Sequence, residues 1–119
     1  MSRKSFLLAL FIIALPSHSW ADGNELLQRC VETQRALDGG QLGSSFDAGF
    51  CMGTVAAVRD TMSIMSVGNK DLKMCFPEQM SNGQAVRVVV QYLKNNPKIL
   101  HRSGTLLVMS AYVSAYSCD

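Results

Sequence analysis

The chain has 119 residues, 48% of them hydrophobic and 17% charged, and carries a formal net charge of +2. This length supports one domain that buries roughly two-thirds of its unfolded surface. So small a charge excludes the basic surface that nucleic-acid or polyanion binding requires.

The first segment reads as a secretory leader. Arg3 and Lys4 precede an apolar run over residues 6–15, Pro16 and Ser17 break it, and Ser19 and Ala21 place small residues where a signal peptidase reads them. The run is too short to span a bilayer. A buried N-terminal helix is the plainer alternative. Cleavage after Ala21 leaves 98 of the 119 residues, with nine of the eleven basic residues set against nine acidic ones. The expected mature product is near neutral, exported and free of the membrane.

The mature chain divides into four helical segments, so the expected fold is all-α, a small bundle of about four helices. The first covers 24–38, where Leu26, Leu27, Cys30, Val31, Gln34 and Leu37 recur at three- and four-residue spacing, and Gly39-Gly40 stops it. The second starts at Ser44 or Ser45, with Asp47 in its first turn. Cys51, Val55, Val58, Met62 and Met65 mark one stripe of it. Gly49, Gly53 and Ala57 mark a second stripe of small residues, read as a tight helix crossing. The segment ends near Ser66, with Gly68 or Asn69 as a left-handed cap.

The stretch from Val67 to Gly83 has no clear period. It is long for a connection in a compact domain, and such loops often carry function, though a solvated connector is the plainer reading. Ser81 and Gln84 form a capping box before Val86, Val89, Val90 and Leu93 on one helix face. Asn96-Pro97 ends that helix and opens the last, expected over 97–117. Residues 105–116 carry no charge. A helix apolar on all sides must be covered on all sides, by its own bundle or by a second subunit.

Four cysteines, Cys30, Cys51, Cys75 and Cys118, lie in the mature chain, and an even count in a short exported protein argues for two disulfides. Antiparallel order brings the end of the fourth helix back to the start of the third, which pairs Cys75 with Cys118. The first hairpin pairs Cys30 with Cys51. In the chain-entropy model the two loops closed are worth about 4 and 3.5 kcal/mol respectively. Two other chemistries compete for Cys75. A cysteine nucleophile needs a base, and the only mature histidine, His101, is expected near the far end of the last helix. Cu(I) binding would use Met62, Met65, Met74 and Met80, but methionine at helical spacing is more often core filler. No catalytic residue, metal ligand or cofactor site is expected, and the protein is not expected to be an enzyme.

Taken in order, several short patterns carry a resemblance. They are Leu27 with Cys30; Phe50, Cys51 and Gly53; Val55, Val58 and Asp60; Cys75 with Pro77; Ser81, Gln84, Val89, Val90 and Leu93; Asn96-Pro97; and Tyr116 with Cys118. Together they make the mature chain similar to the type VI secretion amidase immunity protein family. It departs in having Ser117 where members often have a proline, and its long loop has no matching pattern. The resemblance implies a helical periplasmic homodimer that sterically blocks a cognate peptidoglycan amidase, a papain-like cysteine hydrolase injected by sister cells. On that basis the expected toxin-binding loop is Ser66, Val67, Gly68, Asn69, Lys70, Asp71, Leu72 and Lys73, with residues 39–45 as second choice. The expected dimer interface is Gly53, Ala57, Leu106, Met109, Val113 and Tyr116. An acid-activated periplasmic chaperone is the alternative of a different class, though nine acidic residues are few for it.

Overall fold

Three of the helices begin where a short polar side chain closes the first turn. Asp22 Oδ1 accepts from the Glu25 amide at 3.0 Å, Ser44 Oγ from the Asp47 amide at 3.2 Å, and Ser81 Oγ from the Gln84 amide at 3.1 Å. These caps start α1 (Gly23–Leu37), α2 (Ser45–Ser66) and α3 (Asn82–Asn95). The fourth helix, α4 (Gly104–Tyr116), follows Ser103 with no side-chain cap. The computed structural model describes residues 21–119. Among them are these four α-helices, two single 3-10 turns (Lys70–Leu72 and Pro97–Ile99) and no strand, only two isolated bridges. The expected leader, apart from its last residue Ala21, lies outside the described residues.

The core takes side chains from all four helices. Leu26 and Cys30 of α1, Cys51 and Val55 of α2, Val86, Val89 and Leu93 of α3, and Leu107, Val108 and Tyr112 of α4 are all but sealed from solvent. Valine costs an α3-type helix about half a kcal/mol each relative to alanine, but burying its side chain returns about 1.5 kcal/mol or more, so packing wins. Two disulfides, Cys30–Cys51 and Cys75–Cys118, cross-link the bundle. At its centre the Tyr112 hydroxyl donates to the Val55 carbonyl at 2.7 Å, tying α4 to α2. Burial pushes that hydroxyl above the usual phenol range, against the opposing influence of Arg59.

In several places the structure departs from the periodicity. On α1, Leu37 is exposed and Thr33 is buried in the core-facing set. Thr33 tolerates burial because its hydroxyl donates to the Arg29 carbonyl one turn back, at 2.8 Å. On α2, Met65 is half exposed, because it lines an open groove beside α4 instead of facing the core.

The last helix does not run unbroken from Pro97. The amides of Gly23 and Asn24 take the carbonyls of Arg102 and Leu100 at 2.9 and 3.1 Å, and the Gly104 amide donates to Ala21 at 2.9 Å. A continuous helix would spend those Leu100 and Arg102 carbonyls on its own ladder, so the chain turns at 100–103, and His101 sits in the turn instead of in a helix.

That junction, not the small-residue row on α2, is where backbones approach closely. A Cβ on Gly23 would lie 2.8 Å from the Leu100 carbonyl oxygen, and one on Gly104 2.9 Å from that of Ala21. A Cβ on Gly49 or Gly53 would meet nothing within 4 Å. The expected crossing at Gly49, Gly53 and Ala57 is therefore absent within the protomer.

Two expectations follow. In urea denaturation, Gly53→Ala stabilises the monomer by up to about 1 kcal/mol, whereas Gly23→Ala destabilises it by about 1–3 kcal/mol. Tyr112→Phe costs about 1 kcal/mol at neutral pH. Because the folded-state pKa of Tyr112 is raised, its contribution is present below about pH 10 and is lost as pH rises above it; the phenylalanine variant loses less stability in that alkaline range.

Candidate protein-binding site

Residues 66–73 leave α2 through Gly68, whose φ of 85° turns the chain in a way side-chain-bearing residues resist. Asn69 Oδ1 accepts from the Asp71 amide at 3.0 Å and starts the 3-10 turn Lys70–Leu72. Every residue from Val67 to Lys73 is exposed, Val67 at 83%; Ser66 is half-buried.

The base of this loop is held firmly. Met74 and Ser117 form an antiparallel bridge. The Cys75 amide donates to the Tyr116 carbonyl at 2.7 Å, and the Cys75–Cys118 disulfide closes the same spot. One residue on, the Phe76 ring meets Tyr112 edge-on at 5.2 Å and Tyr116 at 5.5 Å.

Beside the loop runs an apolar groove. Met62 and Met65 of α2, Leu72 and Met74 of the loop, and Met109 and Val113 of α4 line it. It continues along Ala57 and Thr61 toward Thr105. Leu106, Met109 and Val113 are 48%, 37% and 49% exposed, so α4 is covered on one face only: Gly104, Leu107, Val108, Ala111 and Tyr112 point into the core. Of the expected dimer residues, Gly53, Ala57, Leu106, Met109 and Val113 are exposed on α2 and α4. Tyr116 turns inward instead, half-buried against Phe76 and Tyr112.

Residues 39–45 form the exposed α1–α2 connection. They precede α2 while 66–73 follow it, so a helix about 33 Å long separates the two loops, and they do not enter one narrow cleft together. Next to this second loop is a feature that no local pattern announces. The Arg29 guanidinium lies 4.9 Å from the Phe46 ring and 4.4 Å from the Phe50 ring, and pairs with Glu25 and with Asp47 at 3.4 Å. Phe46 remains 70% exposed. The four-residue spacing of Phe46 and Phe50 was visible in the sequence; the arginine that reaches them from another helix was not.

The rival chemistries find no assembled site. Cys75 is bonded to Cys118, and His101 stands beyond the opposite end of α4, a helix about 20 Å long. Among the described residues no cysteine is free and no three His, Cys, Asp or Glu side chains gather as metal ligands. Met62, Met65 and Met74 share the groove with Met109. Met80 lies apart, its carbonyl accepting from Arg59.

Fold and surface thus define a disulfide-stapled helical protein with an exposed loop pinned at its base and an open apolar face on α2 and α4. The family model described as Rap1a immunity proteins matches residues 22–118, and the chain belongs to that type VI secretion immunity family. It is an inhibitor and not an enzyme, protecting against a secreted effector. No curated protein and no solved structure matches the chain.

If the aromatic contacts hold the loop, Phe76→Ala costs about 3–4 kcal/mol in denaturation and speeds amide exchange across 66–73 more than in α1.

Proposed function

We propose that the protein works in the periplasm after signal-peptide cleavage, where it binds a cognate peptidoglycan amidase and blocks its active-site groove with residues 66–73. The observation that carries this reading is a loop exposed along its whole tip yet pinned at its base by a bridge, a disulfide and an aromatic cluster. A loop ordered before binding loses less entropy on binding, so more of its contact energy appears as affinity. Gly68 and Asn69 are small enough for a narrow cleft. Lys70, Asp71 and Lys73 are exposed to meet charges at its rim, which favours fast and selective encounter. Obstruction requires no catalytic group from the inhibitor.

A second copy of the chain covers the open face of α2 and α4 in this proposal. Gly53 and Ala57 leave room for another helix to come close, and Leu106, Met109 and Val113 supply apolar surface that a single protomer leaves wet. Association through such a face is driven by burial at about 25 cal/mol per Å² of apolar surface, offset by lost rigid-body freedom.

Titration calorimetry against a secreted peptidoglycan amidase, sought first in the neighbouring reading frame, tests the plug. Lys70→Glu/Lys73→Glu weakens binding by tenfold or more, about 1.4 kcal/mol, whereas a charge introduced by Gln41→Glu in the uncharged 39–45 segment does not. Wild-type affinity in the 66–73 variant would rule the plug out. Sedimentation tests the dimer: Met109→Asp/Val113→Asp shifts the protein to monomer with its helix content unchanged, and an unaltered mass would exclude this face as the interface.

A further inference from the structure

We propose that the Cys75–Cys118 disulfide is a redox latch on residues 66–75, opened by a dithiol under conditions that leave Cys30–Cys51 closed. The two disulfides sit in opposite environments. Cys30 and Cys51 are both 0% exposed, at the centre of the core with Leu26 and Val55. Cys75 is exposed and Cys118 half-buried. Thiol–disulfide exchange requires a thiolate to reach a sulfur along the bond it will break, so access decides which disulfide reacts first.

The exchange balances with a dithiol as reductant. One thiolate attacks Cys75 Sγ, the Cys75–Cys118 bond breaks, and Cys118 leaves as a thiolate that takes up a proton. The second sulfur of the dithiol then attacks the mixed disulfide and releases Cys75. Two electrons and two protons pass to the protein, and the reductant departs as its own disulfide.

The packing determines what opens. Phe76 stays in its stack with Tyr112 and Tyr116, and the cores of α1 to α4 keep their own disulfide, so the bundle survives. Two backbone bonds then remain between 73–75 and the C-terminal end of α4 with the residues that follow it: Cys75 to Tyr116 at 2.7 Å, and a long one from Cys118 to Lys73 at 3.5 Å. Both are at the exposed edge, where water competes for them. The loop just before Cys75 therefore keeps only the bridge and the Phe76 stack at its base, without the covalent tie, while the helices keep all of their packing.

The latch stands on burial alone; its consequence for inhibition rests on the plug reading above. The purified oxidised protein is treated with rising dithiothreitol at neutral pH, free thiols are trapped with N-ethylmaleimide, and labelled peptides are mapped. Cys75 and Cys118 label at reductant levels that leave Cys30 and Cys51 unlabelled, circular dichroism stays helical, and amide exchange rises over 67–75 and 117–119. Simultaneous labelling of all four, or loss of helix in step with the first pair, overturns the latch.

A Cys75→Ser/Cys118→Ser variant reproduces the faster exchange without reductant, and wild-type protection over 67–75 in it also overturns the latch. In calorimetry the half-reduced protein binds the amidase roughly tenfold more weakly than the oxidised form. Equal affinity of the two forms removes the regulatory consequence. An oxidised protein that fails to bind at all refutes the inhibitor reading and leaves the labelling result standing.

Discussion

The meeting of residues 73–76 with 116–118 fixes the base of the exposed loop that leaves α2. Within a few residues it combines a backbone bridge, a disulfide and the ring stack of Phe76 on Tyr112 and Tyr116. Tyr112 continues inward to the Val55 carbonyl, so the exposed loop is coupled through one side chain to the middle of α2. An irregular segment is costly to order, because each residue fixed costs on the order of 1 kcal/mol in backbone entropy. Here the cost is met at the base of the loop, which leaves the tip free of packing duties.

A second constraint is the size of the core. Helices of 13 to 15 residues around a longer α2 bury one face each, and α4 has more apolar surface than the bundle covers. The surplus falls on one side, continuous with the groove beside the loop. Loop and apolar face share Met65, Leu72 and Val113 as lining residues of one groove. The opposite end of α2 carries a different kind of surface, the Arg29 guanidinium lying over two adjacent phenylalanine rings, where desolvating an arginine is offset by ring contacts and two carboxylates.

Much of this was legible in the chain because it is encoded locally. The caps at Ser44 and Ser81, the left-handed turn at Gly68 and the inward face of α3 each depend on residues within one or two turns of one another. Spacing therefore located α2 and α3 closely. The failures were of another kind. The row Gly49, Gly53 and Ala57 has the pattern of a helix crossing, but small residues only permit close approach; they do not supply the neighbour. Conversely, Gly23 and Gly104 belong to no periodic stripe, and they are where backbones come nearest. The break in the last helix at 100–103 follows from hydrogen bonds to residues some eighty positions earlier, which no window on the sequence contains.

By itself the sequence determined the class: an all-α chain with an even set of cysteines, helices bounded by caps and glycines, and a long uncharged final segment. Those features act over one turn of helix or through simple counting, so they survive without knowledge of the fold. The tertiary structure alone decided which face of α4 stays wet, that Tyr116 turns inward, that Arg29 reaches Phe46 and Phe50, and that one disulfide is sealed while the other is open. Each depends on how helices distant in sequence are laid against one another. Burial is a property of that arrangement and not of any residue taken alone.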